Sequence, residues 1–163
     1  MNSPEVIATA VDIEEFLATG QAMPAPLVAL HALWNERRGT RLAPARADFD
    51  ILDLRPWLGY LVLIDVVDGG RDFHYRVYGT AITSFYGNDL TGRLLSAVEP
   101  AIQAVVGPEY RRVIAEARPL FVVRRPRVRR ESARVARVIL PLSSDGTAID
   151  QILVGFHALS AEG

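Results

Sequence analysis

The alternation of apolar and polar side chains is sharpest over residues 72–78, DFHYRVY, where Phe73, Tyr75 and Val77 fall on one face and His74, Arg76 and Tyr78 on the other. Period-two alternation among aromatic and β-branched residues predicts a strand. The preceding run, residues 60–67, is apolar almost throughout (YLVLIDVV), which predicts a strand covered on both faces. Asp68-Gly69-Gly70 between them tolerates positive φ, so the two strands form an antiparallel hairpin. On either side a helical period takes over. Residues 3–19 carry Val6, Ala10, Ile13 and Leu17 at helical spacing, with Ser3 at the N-cap position, Pro4 at the first helical position and Gly20 beyond the end. Residues 26–38 place Leu27, Leu30, His31 and Trp34 on one face and stop at Gly39. A short helix is predicted over 51–58. Another starts at Thr80, with Ile82, Phe85 and Tyr86 on one side and Gly87-Asn88-Asp89 as its stop. Residues 94–106 hold two apolar segments around Pro100, and residues 108–117 read as a helix with Tyr110, Val113, Ile114 and Ala117 inward. Residues 120–130, 134–142 and 148–159 are extended again. Turns near Glu131-Ser132 and at 143–146 join them into a three-stranded meander.

Two groups of antiparallel strands separated by helices predict an α+β domain with a single five-stranded antiparallel sheet, the helical middle crossing one face. The Pro-containing link 21–25 is the one candidate boundary. It divides the chain into an N-terminal helical extension, residues 1–22, and a main domain, residues 23–163. The extension's apolar stripe must pack on its own sheet or on a second copy, and a homodimer contact is the expected use.

Composition narrows the chemistry. The chain has no Cys, which excludes disulfides, thiolate zinc sites and a cysteine nucleophile. The acidic N-terminal segment has no early basic cluster, and no apolar run approaches the roughly 20 residues that cross a bilayer, so a cytoplasmic protein without membrane contact is expected. Asp48, Asp50 and Asp53 lie close together, but loop and turn caps use Asp at such spacing, and no calcium-loop pattern is present. No metal site is expected. Asp65 and His74, on the two hairpin strands, are the one acid–base pair in view. No nucleophile accompanies them, so a small α+β enzyme is the lesser alternative and no catalytic residue is assigned.

The order of hairpin, glycine-punctuated short helices, longer helix and meander resembles the PAS domain, and in particular a bacterial family of small stand-alone PAS-like proteins. The resemblance covers roughly residues 26–159. Its words are Trp34 and Arg37, Pro44-Ala45-Arg46, Asp48-Phe49-Asp50, Phe73-His74-Tyr75-Arg76, Gly79-Thr80, Tyr86-Gly87-Asn88-Asp89-Leu90-Thr91-Gly92-Arg93, and Leu140-Pro141-Leu142-Ser143 with Asp145-Gly146. The resemblance implies a non-enzymatic sensory or signalling module with a pocket between the inner sheet face and the helices after the second strand. It also implies dimer contacts through a flanking N-terminal helix and an unidentified signalling partner. Flavin photosensors of that fold use a cysteine and haem-binding members a histidine on the long helix. The chain has neither, leaving only His74 and His157 on strands, so cysteine-adduct flavin and haem are disfavoured and any cofactor is unknown.

Two groups of residues are candidates for binding. Phe73, Tyr75, Phe85, Tyr86, Tyr110, Phe121 and Phe156 are the expected lining of a small-molecule pocket, although a filled core describes the same rings. All the basic residues are Arg, and seven of them crowd residues 124–137 against the single acid Glu131, a local charge of +6. Arg125, Arg127, Arg129 and Arg130 at the hairpin tip are the expected contact for an anion or acidic partner. A solvated, aggregation-resistant edge explains them equally. Nucleic acid is disfavoured because the whole chain is slightly acidic and no aromatics interleave the run.

Overall fold

The computed structural model describes residues 9–12, 16, 20, 22–124 and 134–159. Three helices, α1 (Ala25–Arg38), α2 (Thr80–Tyr86) and α3 (Pro100–Glu116), accompany six strands: β1 (Thr9–Asp12), β2 (Leu61–Val67), β3 (Asp72–Tyr78), β4 (Leu120–Arg124), β5 (Arg134–Leu142) and β6 (Gln151–Leu159). The strands form one antiparallel sheet in the order β1-β4-β5-β6-β2-β3. The α+β architecture and all five predicted strands are present. The sixth is a correction. Residues 9–12, expected within a helix over 3–19, instead pair with β4 from Thr9↔Val123 to Asp12↔Leu120. An open strand edge offers unpaired backbone groups that an adjacent extended segment can satisfy, and Thr9 and Val11 carry β-branched side chains suited to it. The rest of residues 3–19, Phe16 apart, lies outside the described residues.

The helical middle crosses one face of the sheet, as expected, and α1 covers the other. Under α1 lie Leu61, Leu63, Phe121, Ala136, Val138, Leu140 and Leu153, packed with Leu27, Leu30, Trp34, Phe49 and Trp57. The opposite face presents Val62, Ile64, Phe73, Tyr75, Val122, Val135, Ile139, Ile152, Val154 and Phe156 to Ile82 of α2 and to Val106, Tyr110 and Val113 of α3. Strand alternation assigns successive residues to the two layers, which is why β2 and β5 read as continuous apolar runs. Gly155 lets α1 lie close on the sheet, since a Cβ there would meet Leu30 Cδ2 at 2.4 Å. Trp34 Nε1 donates to the Pro141 carbonyl (2.8 Å) and Trp57 Nε1 to the Pro26 carbonyl (2.7 Å), so both buried indoles are satisfied.

The three aspartates of the 41–53 segment act as the caps expected of them. Asp48 accepts from the Ala45 N–H (2.7 Å), Asp50 from the Leu52 N–H (2.9 Å) and Asp53 from the Asp50 N–H (3.0 Å), while Arg41 and Arg37 pair with Asp48 and Asp53. The predicted helix over 51–58 is reduced to turns and one 3-10 turn at Arg55–Trp57. Helix α3 departs in the other direction. It begins at Pro100, whose missing N–H is harmless in the first turn, and runs through Pro108. Pro108 forfeits one backbone bond, but Gly107, Glu109 and Tyr110 around it are buried and packing holds the helix together.

Gly79 joins β3 to α2 at a very close backbone approach. Its N–H donates to the Leu61 carbonyl (2.9 Å), and a Cβ would stand 2.2 Å from the Gly59 carbonyl oxygen. Backbone cannot yield as a leucine methyl can. Gly79→Ala is therefore expected to destabilise the protein more than Gly155→Ala, with the milder substitution near the usual overpacking cost of about 1–3 kcal/mol. Urea unfolding of both variants checks the order; equal midpoints would show that the Gly59–Gly79 approach is not fixed.

Candidate functional site

The face of the sheet beneath α2 and α3 is apolar except at one corner. Arg137 stands on β5 between Val122 of β4 and Phe156 of β6, which flank it in register. Two residues either way, Val135 and Ile139 share its inward face. Arg124, the last residue of β4, lies opposite Val135 and points the same way. Above them, on the inward stripe of α3 defined by Val106, Tyr110 and Val113, sits Glu109. Arg137 Nη2 donates to both Glu109 oxygens (2.8 and 3.1 Å) and Arg124 Nη2 to Oε1 (2.5 Å). Side-chain exposures of 7, 9 and 12% for Glu109, Arg137 and Arg124 make this a buried triad of two cations and one anion.

Burial opposes the Arg137 charge, but Glu109 more than offsets it and leaves the guanidinium pKa raised. Arg124 shows the reverse balance: burial and the neighbouring Arg137 charge lower its pKa despite Glu109. Among the described residues its Nε, although buried, finds no hydrogen-bond partner.

Four tyrosines surround the triad. The Tyr75 and Tyr110 hydroxyls share a hydrogen bond (3.1 Å), and the Tyr75 ring meets Tyr78 edge-on at 5.9 Å. Burial holds all four phenols, Tyr75, Tyr78, Tyr86 and Tyr110, above their usual pKa. Tyr78 owes its place to a bulge. Opposite Leu63 and Ile64 of β2, β3 supplies Val77 and Tyr75, so Arg76 is the extra residue. The insertion reverses the alternation. Val77, expected inward, is consequently 48% exposed, and Tyr78, expected outward, packs against the inner layer.

Of the seven predicted pocket residues, six come together. Phe73, Tyr75, Tyr110 and Phe156 are buried in this layer, with Phe85 and Tyr86 of α2 half-buried against it. The rings contact one another: Phe73 with Tyr110 at 5.2 Å, Phe85 with Tyr86 at 5.1 Å, and Phe156 with Phe85 at 5.5 Å and Tyr86 at 6.0 Å. Phe121 is a correction. It alternates with Leu120 and Val122 and so belongs to the opposite layer, against Phe16 at 4.6 Å. A shallow open groove of about 550 Å³ lies apart from the rings, between Leu42, Gly69, the end of α3 and Thr147–Ile149.

The expected anion-contact residues Arg125, Arg127, Arg129 and Arg130 lie outside the described residues. Arg124 and Arg137, grouped with them by sequence, are a correction: both are interior residues held by Glu109. Asp65 and His74 are indeed paired (3.3 Å), and Arg76 and Gln151 also donate to Asp65. Burial opposes the Asp65 charge, but these donors prevail and its pKa is lowered. The pair faces the side of the sheet opposite the tyrosines, since Asp65 continues the alternation of Leu61 and Leu63. Among the described residues, no cluster of His, Asp and Glu is arranged to hold a metal.

The inward Glu109 was the signal available in sequence, one acid at helical spacing among Val106, Tyr110 and Val113. Its partner signal was Arg137 alternating with Val135 and Ile139 inside an apolar strand.

Residues 23–156 match the family model of the PAS domain, and the chain belongs to that family. No curated protein and no solved structure matches the chain. Among the described residues, no helix is long and apolar enough to cross a membrane.

Two predictions follow from burial. Glu109→Gln leaves two interior guanidiniums without a counter-charge and is expected to cost about 3–5 kcal/mol in equilibrium unfolding. A loss under 1 kcal/mol would mean that the triad is solvated. The tyrosines give the pH dependence. A folded pKa above the unfolded value stabilises the protein fully below the unfolded pKa of about 10, and that stability is lost as pH rises beyond it. Tyrosinate absorbance from the four phenols should therefore appear together with loss of helical circular dichroism above about pH 10. Ionisation of all four with the helical signal intact would contradict their burial.

Proposed function

We propose that this chain is a non-catalytic sensory or signalling module that takes a small ligand, and through it a protein partner, at the aromatic layer beneath α2 and α3. The module is residues 23–163, with residues 1–22 as its extension. PAS domains are generally sensory modules without enzymatic activity, and the family match supports the broader part of this reading. The finer part rests on one observation: the interior between the sheet and α2–α3 sets six aromatic rings among its aliphatic side chains, with polar groups converging at one corner. Sites that hold small organic molecules have that composition, largely apolar with a few placed polar groups. The element suited to admitting a ligand is α2, seven residues between Gly79 and the left-handed Gly87, bearing the half-buried Phe85 and Tyr86.

The outward-facing Asp65–His74 pair weighs against the enzyme alternative, because its hydrogen bonds to Arg76 and Gln151 occupy it in a surface network away from these rings. The inward Arg124 and Arg137 weigh against an arginine-hairpin adaptor by removing two cations from its contact surface. Homodimerisation is part of the proposal, although residues 9–12 of the extension are bonded to their own sheet.

The test is native mass spectrometry of freshly purified protein before and after denaturation. A small molecule released on unfolding is expected, and Tyr110→Ala should reduce its retention. A chain that carries nothing, and whose melting temperature no metabolite in a broad screen shifts, would remove ligand binding from the proposal. Retention unchanged in both Tyr110→Ala and Tyr75→Trp would move the site elsewhere.

A further inference from the structure

Among the described residues, the Arg124–Glu109–Arg137 corner is one negative charge short. Two guanidiniums share one carboxylate, with Arg124 and Arg137 both donating to Oε1 and Arg137 also to Oε2. Interior charges are ordinarily neutralised in pairs, because an unmatched ion in a poorly polarisable interior carries a large desolvation cost. The surplus falls on Arg124, whose Nε is buried with no partner among the described residues. This corner also reaches solvent. Arg124 keeps 12% of its side-chain surface exposed, and the neighbouring rings of Phe85 and Tyr86, packed on Phe156, are half-buried. Phe156 is the direct cross-strand neighbour of Arg137. The triad therefore adjoins an aromatic patch, through Arg137 beside Phe156 and through Arg124, which interacts electrostatically with Tyr86, itself packed on Phe156.

We propose that this corner is a binding site for a small organic carboxylate with a flat apolar body, the carboxylate completing the charge of Arg124 and the body lying against Phe85, Tyr86 and Phe156. The guanidinium fork matches a carboxylate in two parallel hydrogen bonds, which a spherical anion cannot exploit. The aromatic rings favour a ligand with an apolar face over a bare anion. The proposal names the ligand class for the site proposed above and rests on that reading.

Benzoate serves as the probe, with benzyl alcohol as its uncharged counterpart, and sodium chloride and inorganic phosphate at matched ionic strength as bare anions. Benzoate at concentrations well above its dissociation constant is expected to raise the wild-type melting temperature by about 3 °C, while the other three leave it within a degree. In Arg124→Met the benzoate shift should vanish. Should that variant fold poorly, Arg124→Lys keeps the charge without the fork and should lose most of the shift. Equal shifts with benzoate and chloride, a shift with phosphate alone, or a benzoate shift unchanged in both variants would overturn the proposal. A neutral molecule released in native mass spectrometry, together with no benzoate shift, would overturn the carboxylate assignment while leaving the sensory reading intact.

Discussion

Glu109 joins the helical layer to the middle of the sheet through two guanidiniums, and much else is arranged around that junction. Helix α3 contributes Val106, Tyr110 and Val113 to the same layer, contacts that tolerate some sliding because dispersion is not directional. The bonds from Arg137 Nη2 to both oxygens of Glu109 tolerate less sliding, since hydrogen bonds are directional and two interior charges must stay in contact. A buried pair of this kind adds little net stability relative to an apolar substitute. It does penalise every alternative register of α3, because each would strand two cations in the interior. Against a total stability of about 5–15 kcal/mol, a penalty of several kcal/mol selects one packing.

What was legible in sequence and what was not separates along a physical line. Strand existence, the hairpin turn at Asp68–Gly70 and the role of the three aspartates depend on local periodicity or on backbone groups a few residues away, and all could be read. The exchange of Val77 for Tyr78 could not, because it arises from a bulge at Arg76 that only the pairing with β2 reveals. Phe121 was misplaced for a related reason: which face of β4 meets which layer is set by pairing with β5, not by β4 itself. Residues 9–12 have a helical stripe and β-branched side chains at once, and the vacant edge of β4 decides between them. In the arginine-rich stretch, clustering suggested one population where alternation contains two. Arg124 and Arg137 face inward on paired strands, and charge counting alone is blind to that.

The words that carry the resemblance to the PAS domain turn out to be structural where the structure describes them. Arg37 is tied to Asp53 and Arg41 to Asp48, and the Pro44 carbonyl accepts from the Ser143 N–H (2.9 Å), which fixes the 39–58 segment to the end of β5. Asp145 accepts from the Thr147 and Ala148 N–H groups, which hold its pKa down at about 2, and Asp89 accepts from Thr91. Gly79 and Gly87 permit close approach and a left-handed cap. These residues specify how the chain turns. The triad of Glu109, Arg124 and Arg137 lies outside every one of those words, whereas Phe73, Tyr75 and Tyr86 of the aromatic layer lie within them, so family membership and the interior share the rings but not the charges.

The position of Arg124 gives the site a mechanical connection. It is the terminal residue of β4, and the same strand carries the ladder to β1 along Leu120–Val123. Among the described residues, β1 pairs only with β4, at the edge of the sheet, whereas β4 also pairs on its other side with β5. The triad and the β1–β4 ladder meet at one end of β4, since Thr9 lies opposite Val123, the residue next to Arg124. Edge pairings of four residues are among the first to open, because few bonds and a single neighbour secure them. The triad thus sits beside the shortest strand pairing among the described residues, with no element of the core between the two.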